Sequence, residues 1–279
     1  MRFSIITVVK NGYPKIDSTI KSVLNQNFSD YEYIILDGCS DDGTSELIKK
    51  FYKKKVRYER RKDKGIYYAL NRSTQKVKGD YVINLHAGDF FYSNSILKKL
   101  DSIIKKNRNY DFFFSNIVYY KNNKVVRLWR MPIKKFDKFS FLKIPHTSMC
   151  IKKNVLKKVM YKTDYKISAD SNFIKDICKN YHGKYLKNYF IFMEDGGLST
   201  SIKYSLLRIK EDLIFLKREF KYIFLFLWFY KILIKIPGIF QNKKIYTLKL
   251  LKEKKKLVRF FYSSTNFNNR IFFKINTWA

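Results

Sequence analysis

The chain has 279 residues, with 58 Lys+Arg against 23 Asp+Glu and a formal net charge of +35. An apolar fraction of 46% and an aromatic fraction of 18% supply a core and exclude global disorder. Ten Gly, four Pro and three Cys exclude a collagen-like chain, a flexible linker and a disulfide scaffold.

Residues 3–9, FSIITVV, are a short, β-branched apolar run, the pattern of a strand covered on both faces. The run is too short for an export signal and has no small-residue cleavage site, so it reads as a buried first strand. Ile16, Ile20, Val23 and Leu24 then recur at helical spacing after Pro14. YEYIIL (31–36) predicts a second strand that runs into the turn-rich DGCSDDGT (37–44) and a helix carrying Leu47, Ile48 and Phe51. A third β segment is expected around Val56 to Tyr58, a helix over 65–77 and a fourth strand at 80–85. This βαβαβαβ succession predicts a parallel sheet with helices on both faces. Ligands of such sheets bind beyond the carboxyl ends of the strands. Polar residues stand at each of those ends: Thr7 and Asn11, then Asp37, then His86-Ala87-Gly88-Asp89. A carboxylate at a strand end also serves as a helix cap, a role open to Asp41 and Asp42.

Beyond residue 100 the rhythm changes. Residues 110–120 and 125–131, separated by an Asn-rich turn, predict a hairpin. Ile167-Ser168-Ala169-Asp170 opens a helix with Phe173, Ile174 and Ile177 on one face, and Ser168 or Asp170 is its expected N-cap. Strand-like residues 181–194 lead to Asp195-Gly196-Gly197-Leu198-Ser199. Residues 201–279 carry 18 Lys+Arg against four acids. Within them 201–221 is amphipathic and basic, and YIFLFLWFY (222–230) is followed by Lys231, Lys235 and Pro237-Gly238. That apolar run falls short of the roughly 18–20 residues a spanning helix needs. A helix lying in the interface of an anionic membrane fits it, and a buried helical hairpin is the other reading.

Cys39, Cys150 and Cys178 are odd in number and lack metal-ligand spacing, as expected of free thiols in a reducing cytosol. The charge excess is mostly Lys, accompanied by heavy use of Asn, Ile, Phe and Tyr, so coding bias of an A/T-rich genome competes with an anionic partner as its cause. Nucleic acid is not the expected partner, because helix-turn-helix, zinc and RNA-binding signatures are all missing.

FSIITVVKNG, LDGCSDDGTSELI and DKGIYYALNRSTQKVKGDYVINLHAGD, in this order and spacing, resemble the glycosyltransferase family 2 enzymes, nucleotide-sugar transferases of the GT-A fold. The resemblance covers roughly residues 1–200 and is nearest to transferases of bacterial surface polysaccharides. It implies an α/β, GT-A (Rossmann-like) nucleotide-sugar-binding domain with a mixed sheet and a C-terminal basic, amphipathic helical extension. Residues 1–100 are then the nucleotide-sugar-binding half, 101–200 the acceptor-binding and catalytic half, and 201–279 a helical, membrane-associating tail.

The resemblance places Thr7, Asn11, Asp37, Asp63 and Lys64 in the donor site, with Asp37 accepting the uracil N–H; such an acceptor suits a uracil or guanine edge, and a UDP-sugar is the favoured donor with a GDP-sugar as the other. Where the family has an Asp-x-Asp-Asp cluster, this chain reads His86-Ala87-Gly88-Asp89. Asp89 is thus the implied ligand of Mg²⁺ or Mn²⁺, a Lewis acid for the departing diphosphate. His86 is the unusual member, either a second ligand or a partner for a sugar hydroxyl. Asp170 matches the position of the catalytic acid residue, a general base for an acceptor hydroxyl in a single inverting displacement. His146, in IPHTSMCIKK, resembles an acceptor-flanking segment, with a buried structural histidine as the bland reading. Gly196 and Gly197 match a loop that borders the acceptor site. The implied activity is transfer of a hexosyl or N-acetylhexosaminyl group to a lipid-linked oligosaccharide, at the inner face of the cell membrane, for O-antigen, capsule or a related surface glycan. A nucleotidyltransferase is the alternative on the same kind of sheet.

Overall fold

The apolar runs of the first ninety residues become the centre of one mixed sheet. The computed structural model describes residues 1–51, 56–122, 124–133, 135–195 and 204–234. Strands β1 (Phe3–Val9) and β2 (Tyr31–Asp37) are buried along their full length, as expected when helices cover both faces. With β3 (Val56–Arg60) and β4 (Tyr81–Asn84) they form a parallel set in the order β3-β2-β1-β4. The connecting helices are α1 (Ile16–Leu24), α2 (Thr44–Lys49) and α3 (Ile66–Ser73). In the register, Val9 pairs with Asp37 and Asp37 with Arg60, so the carboxyl ends of these strands form one edge.

The second half extends the same sheet in mixed directions. Its elements are β5 (Phe90–Phe91), α4 (Ile96–Lys106), β6 (Phe112–Lys121), β7 (Lys124–Trp129), β8 (Met149–Lys152), α5 (Lys153–Lys158), α6 (Ala169–Asn180) and β9 (Gly183–Glu194). β8 is antiparallel to β4 and to β6, β9 runs parallel to β6, and β5 closes the edge antiparallel to β9. The expected hairpin is β6 and β7. The sheet therefore crosses residue 100 without a break. Phe112, Phe113 and Phe114 are fully buried in succession, which period-two alternation allows only where both faces of a strand are covered.

The basic extension begins as α7 (Ser205–Phe220), turns at Lys221 with φ 35°, and continues as α8 (Phe224–Leu233). The inner face of α7 buries Glu211, Asp212, Phe215 and Leu216, and Phe220 stacks on Phe141 at 5.8 Å. Its outer face, and most of α8, are exposed. Among the described residues no helix is long and apolar enough to cross a membrane. Pro237 and Gly238 lie outside the described residues. Cys39, Cys150 and Cys178 are free thiols.

Candidate active site

Two loops meet at the ends of β1 and β2. Asn11, at φ 53°, donates its backbone N–H to the Ser40 hydroxyl at 2.9 Å and accepts the Asp41 N–H at 3.2 Å. Gly12 N–H donates to the Thr44 hydroxyl at 2.9 Å, and a Cβ on Gly12 would lie 2.5 Å from Val9 Cγ2 and 3.0 Å from Ala87. Asp42 takes the Tyr13 N–H at 2.9 Å and the Thr44 N–H at 3.1 Å, so of the two suggested caps it is Asp42 that closes the turn before α2. The loop after β1 is thereby fastened to the loop after β2.

Within this lacing, two of the expected donor-site residues face inward. Thr7 is fully buried, and its hydroxyl donates to the Leu85 carbonyl at 2.7 Å and lies 2.9 Å from the Tyr33 hydroxyl. Asp37 is also fully buried, and each of its oxygens has two donors. Oδ1 accepts from the Ser40 N–H at 2.8 Å and the Ser40 hydroxyl at 2.6 Å, and Oδ2 accepts from Ser45 at 2.5 Å and Tyr58 at 2.9 Å. A carboxylate offers about four such sites, so the ones expected to meet a base are taken by the chain itself. Burial pushes the Asp37 carboxyl upward, but these donors outweigh it and hold it below its ordinary value. Asp63 forms a bidentate pair with Arg72, at 3.1 and 2.6 Å, while Lys64 is exposed on the same loop.

Past β4 the chain turns through Gly88, at φ +96°, where a Cβ would sit 2.6 Å from Glu194 Oε2. Only glycine fits both the conformation and the space. This turn delivers Asp89, which is buried and accepts the Glu194 backbone N–H at 3.1 Å. Burial, with the neighbouring Glu194 charge adding to it, pushes the Asp89 carboxyl up to about 8. Glu194 pairs with Lys15 at 2.9 Å. His86 Nδ1 is buried without a hydrogen-bond partner, and burial pushes the imidazole down to about 4.

Among the described residues no three His, Cys, Asp or Glu side chains converge as a metal-binding group. The donor set nonetheless fits a hard cation shared with a diphosphate, because Mg²⁺ commonly takes one or two carboxylates and completes its shell with phosphate oxygens and water. Asp89 supplies the carboxylate and the partnerless His86 Nδ1 stands three residues before it.

His146 comes from a short 3₁₀ turn (His146–Ser148) that packs beside the end of β4. Its ring centroid lies 5.8 Å from that of His86, and its Nε2 pairs with the Tyr161 hydroxyl. Asn84 Nδ2 donates to the same hydroxyl at 3.1 Å, which leaves the hydroxyl proton for His146. Burial, then the neighbouring His86, pushes the His146 imidazole down to about 3. Tyr161 stacks on Phe173 at 4.0 Å and on Tyr67 at 5.7 Å. Burial raises both tyrosine hydroxyls, and the nearby Asp170 charge raises them further. The helix that Asp170 opens packs on this group through Phe173, whose ring lies 4.0 Å from that of Tyr161 and 5.9 Å from that of His146.

Asp170 lies in the first turn of α6, and its Oδ1 accepts the Ser171 N–H at 2.8 Å. Ser168 occupies the N-cap position, but its side chain makes no capping bond. Instead Glu211 of α7 accepts three consecutive backbone N–H groups: Lys166 at 2.8 Å, Ile167 at 2.9 Å and Ser168 at 2.9 Å. Lys231 of α8 donates to both oxygens of Asp212 at 2.9 Å and to the Ser171 hydroxyl at 3.1 Å. Tyr67, Asn84, Tyr161 and Glu211 were not among the expected site residues, and Lys231 was expected only as a charge following the apolar run. Only Asn84, the last residue of a strand that ends beside His86, carried a positional signal. Gly196 and Gly197 lie outside the described residues.

The family model described as Glycosyl transferase family 2 matches residues 4–163. Among curated proteins, a Bacillus subtilis glycosyltransferase named for teichuronic acid biosynthesis is 29% identical over 112 residues, 39% of this chain and 44% of that protein. An uncharacterised glycosyltransferase of Methanocaldococcus jannaschii is 26% identical over 221 residues, 73% of this chain and 75% of the other. The chain spans less than half the length of the first curated relatives it matches. Among solved structures, Staphylococcus aureus TarS in complex with UDP-GlcNAc has a TM-score of 0.62 at 16% identity, covering 78% of this chain and 67% of that one. The mannosyltransferase PcManGT of Pyrobaculum calidifontis, in complex with GDP-Man and Mn²⁺, has a TM-score of 0.57 at 15% identity, covering 77% and 62%. Both share the fold, a mixed α/β GT-A architecture.

Proposed function

The chain belongs to glycosyl transferase family 2, and from that premise we propose that it is an inverting transferase of surface-glycan biosynthesis, acting on a nucleoside-diphosphate sugar. The carrying observation is the packing of α6, which Asp170 opens, against Tyr161 and His146 at the end of β4, where His86 and Asp89 follow. A carboxylate on one side of this cluster and a diphosphate-facing carboxylate on the other divide the chemistry as an in-line displacement requires.

In this reading the Asp170 carboxylate takes the proton of an acceptor hydroxyl as its oxygen bonds to the anomeric carbon. The bond from that carbon to the diphosphate oxygen breaks on the opposite side, and the nucleoside diphosphate leaves. Asp89, with His86 beside it, would hold Mg²⁺ or Mn²⁺, whose positive charge offsets that of the leaving group. His146 and Tyr161 border the sugar, and both are neutral near pH 7, so they orient hydroxyls rather than transfer protons. Asn11 and Lys64 are the exposed donor-site residues and would meet a nucleotide or its phosphates, and Asp37 shapes that site by fixing its loop. The structural neighbours' complexes with UDP, UDP-GlcNAc and GDP-Man support a nucleotide-sugar donor, and a UDP-sugar is the favoured one. The acceptor is a hydroxyl of a lipid-linked oligosaccharide at the inner face of the cell membrane, with Gly196 and Gly197 in the loop that borders it.

A thermal-shift screen of UDP- and GDP-sugars, with and without Mn²⁺, tests the reading. Stabilisation by one nucleotide sugar, followed by release of nucleoside diphosphate on adding acceptor, is the expected result. Release of pyrophosphate would identify a nucleotidyltransferase instead.

A further inference from the structure

Helix α8 is amphipathic in the reverse of the usual sense. Tyr222, Leu225, Phe226, Phe229, Ile232 and Leu233 recur at helical spacing and are exposed, Tyr222 by 97% and Phe226 by 70%. The opposite stripe holds Leu227, Trp228 and the one charged residue of the helix, Lys231, which is turned inward onto Asp212 and Ser171. A surface helix in water places its charge outward and its apolar stripe on the core. Here the inner stripe is satisfied and a second apolar stripe faces out.

The charges of α7 are sorted in the same direction. Its three acids face the domain: Glu211 and Asp212 are buried, and Glu219 pairs with Lys175 at 2.5 Å and Lys162 at 3.3 Å. Lys210, Lys217 and Lys221 are exposed. The outer surface of the helix pair therefore presents apolar side chains bordered by bases.

We propose that this face of α7 and α8 docks on an anionic lipid bilayer, with the exposed stripe of α8 entering the acyl boundary and Lys210, Lys217 and Lys221 meeting the headgroups. Apolar burial and headgroup attraction act together on such a helix. Charge decides against the other occupants. A two-fold pairing of copies would bring the same basic rim to both sides of the contact. Residues 235–279 carry eleven Lys+Arg against one acid, so they also repel that rim. Because Lys231 and Glu211 fasten the inner face to the start of α6, docking sets Asp170 close to the membrane, a consequence that rests on the transferase reading above.

The test is flotation of the full-length chain with vesicles of phosphatidylglycerol and phosphatidylcholine, and with phosphatidylcholine alone. Wild type is expected to float with the anionic vesicles, and less so at high salt. The double variant Phe226→Glu and Phe229→Glu should lose binding by about tenfold or more. Lys217→Glu with Lys221→Glu should lose the preference for anionic lipid. Both pairs are exposed, so unfolding midpoints should stay near wild type, as should transfer to a short soluble acceptor. Three results would each overturn the proposal: wild type that fails to float with any lipid, a Phe226 and Phe229 variant that floats as well as wild type, or a wild-type dimer that this variant dissolves without any vesicle binding. Vesicle binding needs neither donor nor acceptor, so its failure leaves the transferase reading standing, and loss of nucleotide-sugar binding leaves the docking face standing.

Discussion

Glu211 holds the backbone N–H of Ser168 at 2.9 Å, and with it the start of the helix that carries Asp170 two residues later. The same carboxylate takes the N–H groups of Lys166 and Ile167. Replacing it by alanine leaves three amides without their acceptor. At roughly 1–3 kcal/mol for each buried donor left unpaired, reduced where water re-enters, Glu211→Ala should lower stability by about 2–4 kcal/mol. Denaturant unfolding measures that loss. Transfer should fall through kcat more than through the KM for the donor sugar, since the donor loops lie elsewhere.

Asp170→Asn should leave the fold intact, because the residue lies in the first helical turn and an amide oxygen can still accept the Ser171 N–H. Transfer should fall by about 10²–10⁴, the range for loss of a positioned base. Nucleotide-sugar binding by calorimetry should be unchanged. Full activity in this variant would remove Asp170 from the reaction.

Acid should destabilise the sheet through Glu32 and Asp37. Burial raises each carboxyl, yet both end below their ordinary values, Glu32 through donors from Ser4, Lys78 and Arg57. A carboxyl depressed in the folded state contributes stability that is fully present above its unfolded value and is lost as pH falls toward the folded one. The contribution of these two carboxyls should therefore hold above about pH 5 and decline below it. Glu32→Gln should flatten that decline while lowering stability at neutral pH by roughly 1–3 kcal/mol. Urea titrations across this range show both.

Gly88→Ala should strain the turn that delivers Asp89. The backbone sits at φ +96° and the new methyl would meet Glu194 Oε2 at 2.6 Å. About 1–3 kcal/mol of stability should be lost. Transfer should drop with it, because Glu194 supplies the N–H that orients Asp89. Initial rates at saturating donor, compared with unfolding midpoints, separate the two effects.

The first four strands and their helices were legible because each apolar run is both short and buried on two faces, and turn residues bracket it. The mixed second half was harder. β8 and α5 are four and six residues long, with too few periods to register, and β5 has only two residues. At the site, His86 and Asp89 stand out in sequence as polar residues at a strand end, whereas His146 and Asp170 were marked by the family resemblance. The inward roles of Thr7 and Asp37 do not, because a strand-end hydroxyl or carboxylate looks the same whether it faces a ligand or its own loop. Tyr161 reads as one of 22 tyrosines until Asn84 and His146 are seen to meet on it. Glu211 and Lys231 read as solvated charges of a basic helix, and only the fold turns them inward.

The family match stops at residue 163, yet the segment bearing Asp170 is fastened by a residue 48 positions beyond that point. The matched portion is therefore not a structural unit: truncation before α7 would strip three amides of their acceptor and uncover Phe141. Anyone trimming the protein for crystallisation should mutate the greasy outer stripe of α8 and leave both helices in place.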